Sequence, residues 1–388
     1  MLVYEVLSGG KGKDIDDKTI LWIIGKQNFQ MFSLPVDENT LKQEIAKLRG
    51  YLSNPSFDKK NLPSASMHLY QTLLPQAVRQ LIKGAEILYI VPTGPLYGLP
   101  FGSLVTSYEE KREIHYLIED YAISYLSSAS LLKIIRDEER KTQPPEPLLA
   151  FADPEYPPCG VGDKKGAETF AQLRTESYLK STKGGCFNRL AATADEVREI
   201  ANLFNADHRK ALYLRAKASR STVFALNDKQ KLDDYRYVMF SVHGIIPNKF
   251  NQLQQPALVL SNPLTEGYLT MADAFALKLN ADFVNLSACN TGCAGDNCSE
   301  NVRGEGIMGL TRAFMYAGTP RVAVTLWAVN LGSAKDLSVG LFTNLKAKKK
   351  MAHALREIKL KMIQSKASDP RYANPYHWAA FVVYGDGQ

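Results

Sequence analysis

Long hydrophobic runs are absent from this sequence of 388 residues. No apolar stretch approaches the ~18 residues that suggest a membrane-spanning helix, and the amino terminus lacks the pattern of a signal peptide. Excess charge is also scarce, because the net charge is only +7 at pH 7 and the basic run at residues 346–350 is typical of the solvated end of a helix. We therefore expect no membrane association and no direct binding of nucleic acid.

Cysteine is scarce and unevenly distributed. The chain has five cysteines, and Cys289, Cys293 and Cys298 lie close together. An odd number of cysteines favours free thiols in a reducing compartment, so we expect a cytoplasmic protein. The three clustered cysteines lack the paired spacing of zinc knuckles, and a metal there would occupy the thiol discussed below. A metal site is therefore the less favoured reading, and no residue pattern requires an organic cofactor.

Apolar runs alternate with amphipathic segments along most of the chain. The runs at residues 148–152, 237–242, 283–287 and 321–325 are continuous, which is typical of parallel strands buried on both faces. Helical segments lie between them, so we predict an α/β fold with a mainly parallel sheet and helices on both faces. Three prolines at residues 142–147 predict a linker. The expected regions are therefore residues 1–143, a smaller α/β part, and residues 144–388.

Two helix starts carry capping signals. Thr193 followed by Glu196 has the spacing of a capping box, which predicts a helix from Thr193 to Phe204. Thr270 precedes a second helical segment at residues 271–277 and is expected to cap it.

A cysteine and a histidine each follow one of the buried runs. His243 comes after residues 237–242 and precedes Gly244, whereas Cys289 comes after residues 282–288 and opens a segment that contains glycine. The carboxyl ends of parallel strands meet at one edge of a sheet, where chemistry collects. An imidazole there can take the proton of a thiol and later protonate a departing amine. The amides of Gly244 and Cys289 would be placed to stabilise an oxyanion. A structural histidine and a buried, inert cysteine remain the alternative.

Several segments together resemble the CHAT family of caspase-like cysteine peptidases, which are relatives of separase. The matching segments are Val242 to Gly244, Leu286 to Gly292, Gly304 to Leu310, Thr325 to Val329 and Pro375 to Gly385, with Val91 to Leu96, Leu99 to Phe101 and Ser127 to Leu131 in the leading half. The resemblance covers nearly the whole chain. It implies a caspase-like fold in which residues 1–143 form a pseudo-half without a catalytic pair.

The resemblance also implies roles for individual residues. Cys289 would be the nucleophile and His243 the general acid/base, with the amides of Gly244 and Cys289 as the oxyanion hole. Main-chain groups at Leu326 and Trp327 would pair with an extended substrate, as an added strand does.

One position departs from the family pattern. Where members usually carry an acidic residue, this chain has Leu331. An apolar side chain cannot neutralise a buried guanidinium, and an unpaired charge there costs several kcal/mol. We therefore expect an apolar or uncharged residue at P1, the position before the cleaved bond. Asp153, at the end of the first strand of the second region, is the alternative source of a carboxylate, as are Glu305 and Asp336.

The sequence thus predicts a cysteine endopeptidase that acts on a protein substrate. Members of the family are often held inactive until a partner or ligand arrives, so a regulatory protein or ligand is expected, and bacterial antiviral defence or cell-death signalling is a family-level expectation. Self-cleavage in the basic segment at residues 153–189, or in the loop after Cys289, is a hypothesis. A catalytically silent pseudo-protease that acts as a scaffold and a thiol acyltransferase remain the alternatives.

Overall fold

The structure is a computed structural model that describes residues 1–7, 18–108, 114–138, 143–157, 187–245, 255–262, 266–287, 289–290 and 305–388. Residues 289–290 and 305–307 are described for their backbone. Most of the basic segment at residues 153–189, the loop after Cys289 and the other four cysteines therefore lie outside the described residues. No helix in the described ranges combines the length and the apolar character needed to cross a bilayer.

Strands and helices alternate over these residues. The strands are β1 (Leu2–Leu7), β2 (Lys18–Ile24), β3 (Phe29–Leu34), β4 (Ile87–Val91), β5 (Val105–Ser107), β6 (His115–Tyr116), β7 (Ala122–Tyr125), β8 (Glu146–Pro154), β9 (Leu212–Arg215), β10 (Tyr235–Ser241), β11 (His243–Ile245), β12 (Ala257–Val259), β13 (Tyr268–Thr270), β14 (Phe283–Leu286), β15 (Cys289–Asn290), β16 (Arg321–Thr325) and β17 (Phe381–Gly385). The α-helices are α1 (Glu38–Leu52), α2 (Asn61–Leu73), α3 (Gln76–Ile82), α4 (Leu117–Asp120), α5 (Ala129–Asp137), α6 (Ala191–Leu203), α7 (His208–Ala211), α8 (Arg220–Asp228), α9 (Met271–Phe275), α10 (Glu305–Tyr316), α11 (Leu331–Lys346) and α12 (Met351–Gln364).

The chain divides into two compact units. The first holds Met1–Glu138 and Ala347–Gln388 together with Val302–Glu305, and the second holds Glu139–Asn301 and Gly306–Lys346. The division predicted from the proline-rich segment, residues 1–143 and 144–388, stays a prediction.

The first unit is built on strands in the order β3-β2-β1-β4-β7-β17. The β1–β2 and β2–β3 pairs are antiparallel, whereas β1–β4, β4–β7 and β7–β17 are parallel. Helix α1 buries Leu41, Ile45, Leu48 and Leu52 on one face, which is the spacing of an amphipathic helix. Its amino terminus is capped by Asp37, whose carboxylate accepts a 2.9 Å hydrogen bond from the N–H of Thr40.

The second unit carries parallel strands in the order β16-β14-β10-β8-β9. Strands β8, β10, β14 and β16 are buried along most of their length, whereas β9 is only partly buried. The rings of Phe151 and Phe240 stack at 5.1 Å across β8 and β10. Helices α6 and α11 pack against each other, and α6 also packs on β8. A smaller sheet, in the order β13-β12-β11-β15, belongs to the same unit. The predicted α/β class, with a mainly parallel sheet flanked by helices, is confirmed.

The capping box predicted at Thr193 is wrong. Helix α6 begins two residues earlier, at Ala191, so Thr193 lies inside the helix. Its hydroxyl accepts a 2.9 Å hydrogen bond from the N–H of Asp153. Glu196 does not reach back to the helix start. Its side chain is buried and accepts a hydrogen bond from Ser241. Tertiary contacts with the neighbouring strand ends have replaced the local cap.

Candidate active site

The carboxyl ends of β8, β10, β14 and β16 meet at one edge of the sheet in the second unit, because these strands are parallel neighbours. Asp153 lies near the end of β8, His243 follows β10, Cys289 follows β14, and Leu326 and Trp327 follow β16. The topology therefore brings these sequence-predicted site residues to the same edge. Leu331 begins helix α11, six residues after the end of β16, and is partly buried there.

His243 and Cys289 are paired in neighbouring strands. Strand β11 runs parallel to β15, with His243 opposite Cys289 and Gly244 opposite Asn290. Hydrogen-bonded strands lie about 4.8 Å apart, so the two backbones are adjacent. This arrangement differs from the expected loops in one respect, because Cys289 begins a short strand and Gly244 lies inside one. Strand β11 also pairs with β12 on its other side, where Gly244 faces Leu258.

The imidazole of His243 is held by a main-chain group. Its Nε2 lies 2.8 Å from the carbonyl oxygen of Asn188. A carbonyl can only accept, so Nε2 carries the hydrogen and donates it, which leaves Nδ1 unprotonated in the neutral ring. The ring packs against Tyr156 and Phe187, with centroid distances of 5.5 and 5.3 Å. Burial lowers the pKa of His243 below its ordinary value, and the hydrogen bond to Asn188 opposes part of this shift. The imidazole is therefore neutral near pH 7 and has one nitrogen able to accept a proton.

The groups that hold this ring were not found from the sequence. Asn188 contributes its carbonyl, which any residue could supply, so its identity carries no signal. Phe187 belongs to a small apolar cluster with Ile245 and Val259 of the neighbouring strands. Tyr156 packs on the same cluster, and its hydroxyl donates a 2.8 Å hydrogen bond to the carbonyl of Val259. These contacts join distant segments and are invisible in local patterns.

Asp153 is buried and already paired with two arginines. Its side chain is 2% exposed, and its backbone adopts a φ of 44°, in the left-handed region. The carboxylate accepts hydrogen bonds of 2.9 Å from Nε and 2.7 Å from an Nη atom of Arg189, a two-pronged contact. Arg215 lies 3.4 Å from the same carboxylate. Two guanidinium groups thus neutralise Asp153, one of the three acids that the sequence suggested for binding a basic substrate side chain.

Leu326 and Trp327 have buried side chains. They are 1% and 5% exposed and follow the last residue of β16, Thr325. Contact between a substrate and this segment would therefore involve main-chain groups, as the resemblance implies.

The buried carboxyl group of Glu196, which the sequence suggested only as part of a helix cap, contacts the end of β10. Oε2 of Glu196 accepts a 2.6 Å hydrogen bond from the hydroxyl of Ser241, the last residue of β10. Burial raises the pKa of Glu196 even though nearby hydroxyls favour its charged form.

Metal ligands are not clustered in the described part of the chain. There, no group of three or more histidine, cysteine, aspartate or glutamate side chains is arranged to hold a metal ion. Cys293 and Cys298, the weaker metal candidates of the sequence, lie outside the described residues.

Comparison with known proteins identifies the family. The model of the CHAT domain matches residues 64–386. The chain belongs to the CHAT domain family. This confirms the family predicted from the matching sequence segments.

The curated relatives are much longer than this CHAT domain. Tetratricopeptide repeat protein 28 from Homo sapiens is 25% identical over 310 residues, which cover 77% of this chain and 12% of the relative. The protein of the same name from Mus musculus is 32% identical over 123 residues, which cover 32% of this chain and 5% of the relative. The chain thus spans about an eighth or less of the length of either relative.

Two solved structures align with most of this CHAT domain. The Arg-specific cysteine proteinase gingipain R is 10% identical, with a TM-score of 0.44, over 90% of this chain and 74% of gingipain R. The separase of the Saccharomyces cerevisiae separase–securin complex is 13% identical, with a TM-score of 0.39, over 89% of this chain and 22% of that chain.

Proposed function

We propose that this CHAT domain is a cysteine endopeptidase in which Cys289 is the nucleophile and His243 the general acid/base. The observation that carries the proposal is the backbone register that sets His243 opposite Cys289. A second observation supports it, because the hydrogen bond from Nε2 to Asn188 leaves Nδ1 of the neutral imidazole as the proton acceptor.

The reaction would proceed through a thioester. Nδ1 of His243 takes the thiol proton, and the sulfur of Cys289 attacks the carbonyl carbon of the scissile amide. The tetrahedral intermediate collapses when the C–N bond breaks and the imidazolium gives its proton to the departing amine. A water molecule then loses a proton to Nδ1 and attacks the thioester. This second step releases the carboxylic acid product and restores the thiol.

The oxyanion of each tetrahedral intermediate needs hydrogen-bond donors. We assign the amides of Gly244 and Cys289 to this role, and the loss of one such donor typically costs about 100- to 1000-fold in rate. Gly244 is paired with Leu258 on one side and Asn290 on the other. Use of its amide by a substrate would therefore compete with ladder hydrogen bonding in the small sheet.

The substrate would be a protein segment in extended form that pairs with main-chain groups at Leu326 and Trp327. We propose that P1 is apolar or uncharged. Leu331 offers no charge, and Asp153 is neutralised by Arg189 and Arg215. A guanidinium from the substrate would have to displace one of these arginines.

Regulation by a second protein or a ligand is part of the proposal. The relatives are tetratricopeptide repeat proteins of which this chain matches a small share. Repeats of this kind stack into extended binding surfaces. We propose that a repeat-containing polypeptide or a ligand releases activity, in the cytoplasm, and that the setting is bacterial defence or cell-death signalling.

Two readouts test the proposal. Wild type and Cys289→Ala are each co-expressed with the products of neighbouring genes, and new protein termini are sought by mass spectrometry. Termini that appear with wild type alone are expected. In parallel, the rate of alkylation of Cys289 by iodoacetamide is measured in the purified chain, with Cys159 as the internal reference and His243→Ala as the control. This measurement does not require an activator.

The alkylation rate distinguishes an active peptidase from a silent pseudo-protease. If His243 activates Cys289, alkylation of Cys289 is faster than that of Cys159 near pH 6, and His243→Ala removes the difference. Equal rates at the two cysteines, with no effect of His243→Ala, would overturn the peptidase proposal and favour the alternative of a silent pseudo-protease that acts as a scaffold.

A further inference from the structure

Glu196 is an ionisable side chain in an unusual place. Glu196 is 2% exposed and lies on helix α6, which packs on β8 and α11. Glutamate is almost never fully buried unless it is paired. Lys335 of α11 favours the charged form of Glu196, but its amine lies 2.7 Å from a different carboxylate, that of Glu199. Among the described residues, Glu196 therefore makes no direct ion pair, and hydroxyl groups surround its carboxyl group.

The hydroxyl groups around Glu196 come from the two strand ends that lead to the site. Ser241 is the last residue of β10, two positions before His243, and Ser287 follows β14, two positions before Cys289. Ser241 donates to Oε2 at 2.6 Å. Ser287 lies close enough to the carboxyl group to stabilise its charged form, as does Ser338 of α11. One buried side chain thus interacts with both strand ends.

We infer that Glu196 is a positioning residue whose carboxyl group fixes the ends of β10 and β14 relative to each other, and thereby the approach of His243 to Cys289. The inference rests on the proposed peptidase function and deepens it. Glu196 touches neither substrate nor reacting atoms, so it acts through the backbone of the two strands. The parallel pairing of β10 with β14, in which Phe240 faces Leu286, continues up to the two serines.

The chemistry of the carboxyl group suggests how it holds both serines. Oε1 is buried and makes no hydrogen bond of normal geometry with the described residues. Burial raises the pKa of Glu196. A proton on Oε1 would provide a donor for the hydroxyl oxygen of Ser287 or Ser338 while Oε2 still accepts from Ser241. The amide of a glutamine offers the same pattern, with an oxygen that accepts and an NH₂ group that donates.

A purely structural role makes a different prediction. If Glu196 only filled the core, its replacement would change stability and leave the reactivity of Cys289 unaltered in the folded protein. If it positions the pair, its replacement changes the pH profile of Cys289 alkylation in protein that is still folded. Glutamine should preserve the profile and alanine should not.

The experiment uses the full chain with wild type, Glu196→Gln and Glu196→Ala. Glu199→Ala is the matched control, because Glu199 lies on the same helix and its side chain is 50% exposed. The rate of Cys289 alkylation by iodoacetamide is followed between about pH 5.5 and 8.5 by mass spectrometry of its peptide, and folding is verified by thermal unfolding. We expect Glu196→Ala to lower the rate near pH 6 by about tenfold or more and to move the midpoint towards the ordinary thiol value of about 8.5. Glu196→Gln and Glu199→Ala should stay within about threefold of wild type.

The outcomes separate this inference from the proposed function. A wild-type Cys289 that already titrates like an ordinary thiol, regardless of His243→Ala, overturns both. If the alkylation of Cys289 has a low midpoint pH in wild type and folded Glu196→Ala keeps it, the positioning role alone is overturned. An equal loss of alkylation rate in Glu196→Gln and Glu196→Ala overturns it as well. If Glu196→Ala does not fold, Ser241→Ala serves instead. This change removes the 2.6 Å hydrogen bond to Glu196 and keeps the carboxyl group. We expect the same upward shift in the midpoint pH of Cys289 alkylation.

Discussion

Nε2 of His243 donates a 2.8 Å hydrogen bond to the main-chain carbonyl of Asn188. The side chain of residue 188 takes no part in this bond. The orientation of the imidazole is therefore set by the path of the backbone, and by the packing of Phe187 and Tyr156 around the ring. This relationship leads to a prediction that distinguishes the backbone from the side chain.

Asn188→Ala is expected to leave the reactivity of Cys289 within about twofold of wild type, because the carbonyl that accepts from His243 remains. Residue 188 is exposed, so the shorter side chain can be accommodated there without a change in the core. The measurement is the alkylation rate of Cys289 near pH 6, with His243→Ala as the fully impaired reference. A large loss in Asn188→Ala would show that the amide side chain, and not the carbonyl, supports the ring.

The pH dependence of hydrolysis should report the environment of His243. Burial lowers the pKa of this imidazole, so the base stays deprotonated to a lower pH than an exposed histidine would. The acidic limb of kcat/KM is therefore expected below pH 6.5, the ordinary value of histidine. Tyr156→Ala uncovers one face of the ring and should move the limb upward. Tyr316→Ala is the control, since Tyr316 is 77% exposed and lies away from the described contacts of His243. An unchanged limb in Tyr156→Ala would contradict burial as the cause.

The choice of P1 residue should depend on the arginines that neutralise Asp153. Wild type is expected to prefer apolar or uncharged P1 residues in a positional-scanning peptide library. Arg189→Ala removes the two-pronged partner of the carboxylate, so cleavage after Arg or Lys should rise relative to apolar residues. Arg198→Ala is a matched control, because Arg198 is an exposed partner of Asp195. Arg as the best P1 residue for wild type would refute this prediction.

The strands that support the site were predictable because their sequences carry a strong physical signal. Parallel strands covered on both faces have runs of consecutive apolar residues, and β8, β10 and β16 contain such runs at residues 148–152, 237–240 and 322–324. The cap of α9 was predictable for a local reason. Thr270 accepts from the N–H of Asp273, and the carboxylate of Asp273 accepts from the N–H of Thr270, so the predicted cap is confirmed.

The supporting groups of the site were not predictable in the same way. Thr193 and Glu196 have the spacing of a capping box, but the strand ends beside Glu196 offer it the hydroxyl of Ser241 inside the core. Tertiary contact therefore overrides the local pattern. The carbonyl of Asn188 is a second case, because every residue has one and only the folded backbone decides which carbonyl meets His243.

Gly318 is expected to be intolerant of a side chain. It follows α10 with a φ of 116°, and a Cβ atom added there would lie 2.0 Å from the carbonyl oxygen of Leu279. The N–H of Leu279 donates a 2.7 Å hydrogen bond to Ala317, so the two segments cannot separate without loss. We expect Gly318→Ala to lower the free energy of unfolding by about 3 kcal/mol or more, measured by urea denaturation. Gly50→Ala is the control, because Gly50 is an exposed residue of α1 with no atom within 4 Å of an added Cβ, and this change should stabilise by up to about 1 kcal/mol. A loss below about 1 kcal/mol in Gly318→Ala would contradict the clash.

Lys359 should give stability an unusual dependence on pH. Its amine is buried on α12 and donates a 2.6 Å hydrogen bond to the carbonyl of Phe381. Burial lowers its pKa to about 7. In the unfolded chain the same amine holds its proton up to about pH 10.4. The unfolded state therefore binds more protons between these values, and the contribution of Lys359 to the free energy of unfolding rises with pH across this window, by at most about 5 kcal/mol.

Lys359→Met is expected to remove this contribution. The free energy of unfolding is measured by urea denaturation at several pH values from about 7 to 9.5, where wild type should gain stability relative to Lys359→Met as the pH rises. Lys361→Met is the matched control, because Lys361 lies on the same helix and is exposed, and its pH dependence should follow that of wild type. Parallel curves for wild type and Lys359→Met would mean that the buried amine keeps its proton in the folded protein, in which case the carbonyl of Phe381 stabilises an ammonium group instead of a neutral amine.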